Sequence, residues 1–495
     1  MVHTARQEGL AIPRDLQSWV GEPGKLFTWG PSSNCVAAIE NSPYNPIPPS
    51  CQQEQHLRSY RAHTQNGIEM VRLLVVTWDL PGCCDMQLMT DVIQRHLRRQ
   101  GTYHNWFTFD SRDQVVCRRL EDTSLIEFVW QPRGWCQKSS EWIQHILATP
   151  GPLNWDCFSF GVIQRDDNFT FYAAIDHLHG DGYLLPILIE DLCTAYQFPD
   201  TDSAQRYTPM ATYQNYCERQ MRELASLTLA DPVASGWLEF LRSNGGVLPR
   251  FSLPLGVQSE FWESKITTSE VMNKKTSRSF ESSCTRQGIS LFTGVMACVA
   301  LQEHLVTGKS IIHMITPVTT RATRMEFSTL GWFTGVVPIS VSMTGGSFLD
   351  IVEGVQSSLR SRRHLASVPI EKVIELTQGL SDIHWPAAGA FLISFVPLKK
   401  RLLSTIERLP ARMFLNQGAN SNLFMFITHG SDRTMVSISH PDNQYARSSV
   451  STLVQTLQAI CLRVANDFST PISTLMTELR QQPVIDSSRR NSSEY

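Results

Sequence analysis

The chain has 495 residues, 42% of them hydrophobic and 18% charged, with a formal net charge of -3 at neutral pH. That length exceeds one ordinary core and fits two domains of similar size, with ample apolar material to bury. So small a net charge offers no global field for nucleic acid, and with no zinc-finger or RNA-binding signature present, nucleic-acid binding is set aside.

Twelve cysteines are scattered along the chain without C-x-x-C or C-x-x-H pairs. No disulfide framework and no metal or redox site is therefore expected, and reduced thiols in the cytosol are the simplest account. The stretch Met1 to Glu8 lacks the apolar core of a signal peptide, and no run of about 18 apolar residues occurs to span a bilayer.

In chain order, residues 1–50 are rich in Pro, Gly, Ser and Asn and read as an irregular lead-in with one short strand at Lys25 to Trp29. A helix is predicted from Ser50 to Gln65, then a strand from Arg72 to Leu80 stopped by Pro81-Gly82. Asp85 is placed to cap a helix through Gln100, with Met86, Met89, Ile93 and Leu97 on one face. Arg95, Arg98 and Arg99 on its other side read as a solvated face; the sharper alternative is docking of an anionic acyl donor. Strands are predicted at Ser124 to Gln131, at Phe158 to Gln164, and over Phe169 to Ile175, which alternates like a half-buried strand.

The pattern weakens from roughly 200 to 250, with a helix at Ala211 to Thr228 and a break at Asn244-Gly245-Gly246, and 216–250 is read as a linker region. The second half, 251–470, restarts with similar grammar. It has strands near Phe261 to Ser269, Ile311 to Thr316, Val336 to Ser342, Ala390 to Val396 and Met435 to Ser439. Helices are predicted at Ser277 to Gln287, Ser290 to Thr307, Ser347 to His364, Ile370 to Thr377 and Ser448 to Asn466. Residues 471–495 read as a mostly disordered tail. Both halves mix strands and helices without the regular alternation of a doubly wound sheet, so the fold class is α/β of the mixed α+β kind, two layered halves side by side.

The chemistry-bearing stretch is Ile175-Asp176-His177-Leu178-His179-Gly180-Asp181-Gly182, an H-x-x-x-D-G pattern between the Phe169 strand and an apolar helical run from Tyr183. A plain structural account has Asp181 capping that helix, Gly182 relieving a tight turn, and both histidines solvated in a loop. On the functional account His177 faces a cleft from a strand-to-helix turn and takes a proton from an alcohol or amine to start acyl transfer.

With Gly331-Trp332-Phe333-Thr334-Gly335, this motif resembles the condensation-domain and thioester-dependent acyltransferase superfamily. Several further stretches resemble the mycobacterial polyketide-associated (Pap) acyltransferases of trehalose glycolipid biosynthesis. These are Arg95 to Arg99, Thr102 to Phe107, Trp155 to Gln164 and His440 to Asn443, and the likeness spans roughly residues 15 to 465. The resemblance implies two chloramphenicol-acetyltransferase-like halves forming a pseudo-dimer with a tunnel between them, residues 51–215 carrying the motif and 251–470 forming the second half. One departure stands out: the superfamily prefers two adjacent histidines, and here the first position is Asp176.

The resemblance further implies that His177 is the general base and that the donor is a long-chain or polyketide acyl thioester. Acyl-CoA or an acyl carrier protein would bring it as co-substrate, with no cofactor and no metal. The acceptor is a trehalose-type sugar, and a polyketide synthase or lipid transporter is the implied partner. The expected location is cytoplasmic, with peripheral association at the inner face of the membrane as a further option. Asp181 is expected to pair with an arginine of the second half, and Arg321 sits where that partner falls; a solvent-exposed Arg321 is the alternative. Gly182 would permit close packing at the turn, and Asp176, Trp332 and Thr334 are tunnel or motif residues. His179, His96, His104, His313 and His440 are treated as structural. The face of Phe292, Val295, Met296 and Val299 lines an acyl channel or is plain core. An amide-forming condensation enzyme and a catalytically silent scaffold of the same fold remain the competing readings.

Overall fold

A computed structural model describes residues 12–199, 210–257, 261–385, 389–397, 411–430 and 433–480. The chain divides into two compact units. The first holds Met1–Leu227, Thr319–Thr334 and Lys400–Gln417; the second holds Thr228–Val318, Gly335–Lys399 and Gly418–Tyr495. Each is a mixed α/β layer built on a seven-stranded sheet.

In the first unit the strand order is Pro13–Asp15, Arg412–Leu415, Leu73–Pro81, Asn168–Asp176, Phe158–Gln164, Gly24–Pro31, Phe128–Cys136. The motif strand is central, antiparallel to both neighbours, with Leu73 opposite Asp176 and Phe158 opposite Ile175. From Phe169 to Asp176 every residue is buried, so the alternation does not mark a solvated face. Both sides are covered. Tyr172 and Ala174 join Trp19, Trp142 and Ile146 in one cluster, and Phe171 stacks on Trp78 at 4.8 Å on the other side. Gly161 is required beneath Tyr172: a Cβ there would fall 2.3 Å from the tyrosine ring.

Ser50 caps the helix Cys51–Gln65 through a capping box with Gln53, and Asp85 caps Met86–Arg99 by accepting from the backbone of Gln87 and Leu88. Met89, Val92, Ile93 and Leu97 bury one side of the latter helix, and Trp29 Nε1 donates to Thr90 across it at 2.8 Å. The solvated-face reading holds for Arg95 and Arg98, which are exposed, and fails for Arg99, which is partly buried against Asp191. Arg98 Nε donates to the Ile126 carbonyl at 3.0 Å, and Arg99 Nη1 meets Asp191 Oδ1 at 2.5 Å. All three arginines line a shallow depression of about 490 Å³ together with Asp91 and Gln94.

Other elements differ from expectation for local reasons. Ser32 caps a short helix, Ser33–Glu40, inside the supposed irregular lead-in. Asp122 caps a 3-10 turn over Thr123–Leu125, which delays the following strand to Phe128–Cys136. The region read as linker contains a helix, Pro232–Ser243, with proline in its first turn. The segment read as tail begins with the helix Ile472–Arg480, and residues 481–495 lie outside the described residues.

In the second unit the order is Thr334–Ser342, Ile311–Thr319, Phe391–Pro397, Leu423–His429, Thr434–Pro441, Trp262–Met272, Ala419–Asn420. Its core packs the helices Leu291–Thr307, Phe348–Arg362 and Gln444–Val464 on that sheet. Val295, Met296 and Val299 are fully buried in this core and Phe292 packs partly against it, which makes that face plain core rather than a channel lining.

Candidate active site

The motif strand ends at Asp176, whose carboxylate accepts from the Leu178 backbone at 3.0 Å and so caps a 3-10 turn over His177–His179. The His177 backbone donates to the Arg72 carbonyl at 2.8 Å, tying the turn to the neighbouring strand. The imidazole is half-buried. Its ring packs against Trp332 with centroids 3.9 Å apart and planes inclined by 38°. Nδ1 is buried with no partner outside its own residue, which leaves Nε2 as the ring nitrogen open to an incoming group. Burial, reinforced by nearby His56, pulls the His177 imidazole down to about 4, against the opposing pull of its own carbonyl, Asp181 and Asp176. His177 is therefore neutral, with a free lone pair, across the physiological range.

Asp176 is fully buried. Its Oδ1 lies 2.6 Å from His56 Nε2, and its Oδ2 lies 3.0 Å from Arg72 Nη1. Burial alone would raise its carboxyl, but His56 and then Arg72 outweigh that and hold it below the usual carboxylate range. Arg72 is satisfied in turn by the carbonyls of Pro150 and Thr149 at 3.0 and 2.6 Å. Neither His56 nor Arg72 was singled out from the sequence. The one available signal was that a buried carboxylate at the first motif position demands a cationic partner.

Asp181 combines two structural jobs. Oδ1 accepts from the Tyr183 backbone at 2.9 Å and caps the next turn. Oδ2 accepts from Arg321 Nη1 at 2.7 Å and from the Phe333 backbone at 2.9 Å, with Thr334 Oγ1 at 3.5 Å. The Arg321 side chain is closed to solvent; it also donates to the carbonyls of Glu326 and Thr329 and lies between the rings of Phe333 and Tyr183. Asp181 thus fixes the turn after His177 and the segment bearing Trp332 to one point.

Glycine matters at Gly331 rather than at Gly182. Gly331 has φ +151, and a Cβ there would fall 2.0 Å from the Tyr213 ring, whose hydroxyl donates to the Trp332 carbonyl at 3.1 Å. A Cβ at Gly182 would meet nothing within 4 Å, so the expected close packing is absent because the turn leaves open space there.

His179 points into the interior. Its Nδ1 is 3.0 Å from Thr102 Oγ1 and its Nε2 is 3.2 Å from Cys157 Sγ. The Cys–His spacing suits a thiol nucleophile, but burial takes this imidazole to about 4 and pushes the Cys157 thiol up. Both are neutral and sealed, which is the opposite of an activated thiolate. His96, bonded to Asp191 and Tyr103, is likewise internal. No cluster of three or more His, Cys, Asp or Glu suited to a metal occurs among the described residues.

The Condensation domain family profile matches residues 125–482, most of the chain. The chain belongs to the condensation-domain family. Within it, "Trehalose-2-sulfate acyltransferase PapA2" of Mycobacterium tuberculosis (strain ATCC 25618 / H37Rv) is 37% identical over 454 residues, 91% of this chain and 97% of that protein. "2'-acyl-2-O-sulfo-trehalose (hydroxy)phthioceranyltransferase PapA1" of Mycobacterium tuberculosis (strain CDC 1551 / Oshkosh) is 34% identical over 459 residues, 91% of this chain and 88% of that protein. The solved PapA2 acyl transferase matches with TM-score 0.87 at 36% identity, over 92% of this chain and all of that one. The first condensation domain of the calcium-dependent antibiotic synthetase matches with TM-score 0.66 at 14% identity, over 87% of this chain and 98% of that one, a likeness of fold alone. The chain is thus a condensation-domain acyltransferase with two chloramphenicol-acetyltransferase-like halves, akin to the Pap enzymes.

Proposed function

We propose that this protein is an O-acyltransferase that moves a long-chain or polyketide acyl group from a thioester to a hydroxyl of trehalose or a sulfated or acylated trehalose. The observation that carries the reading is the neutral, half-buried His177 imidazole, its Nδ1 closed off and its ring seated on Trp332. The names of the two relatives direct the choice of acceptor.

In the proposed step the sugar oxygen attacks the thioester carbonyl carbon while its proton passes to His177 Nε2. The carbon–sulfur bond then breaks, and the leaving thiolate recovers that proton from the imidazolium, giving ester and free thiol. A base held this low accepts the proton as the new carbon–oxygen bond forms rather than beforehand. Such a positioned base contributes about 10²–10⁴-fold. No acyl-enzyme is needed, since the thioester is already activated and bringing the two substrates together supplies the remaining acceleration. The donor would be acyl-CoA or an acyl carrier protein.

No single helix among the described residues is long and apolar enough to cross a membrane. We place the enzyme in the cytoplasm, working on a lipid product at the inner face of the membrane. The test is mass spectrometry of products from purified protein, palmitoyl-CoA and a panel of trehalose, trehalose-2-sulfate, glucose and an amino-acid amide. Ester on the trehalose acceptors alone is expected. Amide on the amine would move the reading to peptide-type condensation, and no product with any acceptor would favour a silent scaffold.

A further inference from the structure

An imidazole that moves protons has to be held in one orientation, and the usual holder is an acceptor on its second ring nitrogen. His177 has only its own backbone carbonyl for this: no other residue bonds its buried Nδ1. The two neighbouring carboxylates are already committed, Asp176 to His56 and Arg72, Asp181 to Arg321 and two backbone amides. Beyond that contact within its own residue, the orientation must come from packing.

The ring that supplies it is Trp332, 3.9 Å from His177 by centroid. Trp332 in turn meets His56 edge-to-face at 5.5 Å and 71°. His56 is pinned by Asp176 at 2.6 Å and stands 6.3 Å from the His177 ring. The three rings therefore pack in series, tilted and then edge-to-face, with the far ring bonded to the buried Asp176 carboxylate.

Resting on the reading of His177 as the base, we propose that Trp332 and His56 are positioning residues: the indole sets the orientation of the His177 ring, and His56, carried by Asp176, locks the indole. This arrangement gives Asp176 a purpose at the position where the superfamily prefers a second histidine. The titratable groups acting on His177 are His56 from the Cys51–Gln65 helix, Asp176 from its own strand and Asp181 from the following turn. Of these, His56 pushes in the same direction as burial. It therefore has an electrostatic effect that a purely structural residue lacks.

The test uses the full chain labelled with 13C at histidine Cε1, in the variants His56→Gln, Trp332→Phe and Trp332→Ala, with single-turnover acyl transfer measured alongside. His56→Gln keeps an amide donor for Asp176 but removes the ring. The His177 resonance in this variant should titrate at higher pH than in the parent, and the acid limb of the rate should move with it. Trp332→Phe should stay within about tenfold of the parent while Trp332→Ala loses about 10²-fold, with the melting temperature of both reported. His56→Asn serves as the second variant if Gln fails to fold. An unmoved His177 titration in a folded His56 variant, or a Trp332→Ala rate that falls no further than the folded fraction, overturns the proposal. The titration needs no turnover, so a failure of this inference is distinguishable from a failure of the acyl-transfer reading.

Discussion

Arg321 Nη1 sits 2.7 Å from Asp181 Oδ2 with its side chain wholly shielded from solvent. Such a pair gives little net stability over an apolar substitute, yet removing one partner strands a charge in the interior. Arg321→Met is therefore expected to destabilise the protein by about 3–5 kcal/mol. Arg321→Met with Asp181→Asn should cost less than the two single changes added together. Chemical denaturation of the three variants checks this, and additive losses would deny the coupling.

Acid should weaken the fold before it reaches the ordinary carboxylate range. His104, His177 and His179 are each held at about 4 by burial, below the usual 6.5. The unfolded chain binds protons at these positions first, so stability is full above about pH 6.5 and falls as the pH drops toward 4. Each histidine contributes a slope of up to about 1.4 kcal/mol per pH unit across that window. Asp176, held low in the fold, acts in the same direction and loses its contribution only as the pH falls through its own depressed value. Urea midpoints at pH 7.5, 6 and 5 should decline in order; midpoints unchanged to pH 5 would contradict the buried-neutral assignment.

The two motif glycines should respond in opposite ways. Gly331→Ala combines a left-handed φ of +151 with a clash against Tyr213, and a loss of about 1–3 kcal/mol is expected. Gly182→Ala meets open space and should stay within about 0.5 kcal/mol of the parent with activity retained. Thermal melts on the two variants decide it.

Cys157 should be dispensable for chemistry despite standing 3.2 Å from His179. Cys157→Ala is expected to keep acyl transfer within about tenfold of the parent, and intact-protein mass spectrometry after donor addition should show no acylated cysteine. An adduct at Cys157 would replace direct transfer with a two-step route.

Much of this site is written locally in the chain. The H-x-x-x-D-G pattern places His177 on a strand-to-helix turn, and Ser50, Asp85 and Ser290 mark helix starts because capping depends on near neighbours. What escaped is carried by distance along the chain. His56 and Asp176 are 120 residues apart, and Arg412–Leu415 enters the first sheet between Pro13–Asp15 and Leu73–Pro81. No periodicity or spacing reports such pairings. The double burial of Phe169 to Asp176 was equally hidden, since alternating large and small residues look alike whether the second face meets water or Trp78. Arg99 misled for a related reason: an exposed-looking basic face also suits an arginine that satisfies a buried aspartate.

The most direct measurement is single-turnover transfer from palmitoyl-CoA to the accepting trehalose, comparing the parent with His177→Ala after circular dichroism has established that both are folded. A rate lower by about 10²–10⁴-fold at neutral pH is the expected result. An equal rate from a folded His177→Ala protein would contradict the assignment of His177 as the base.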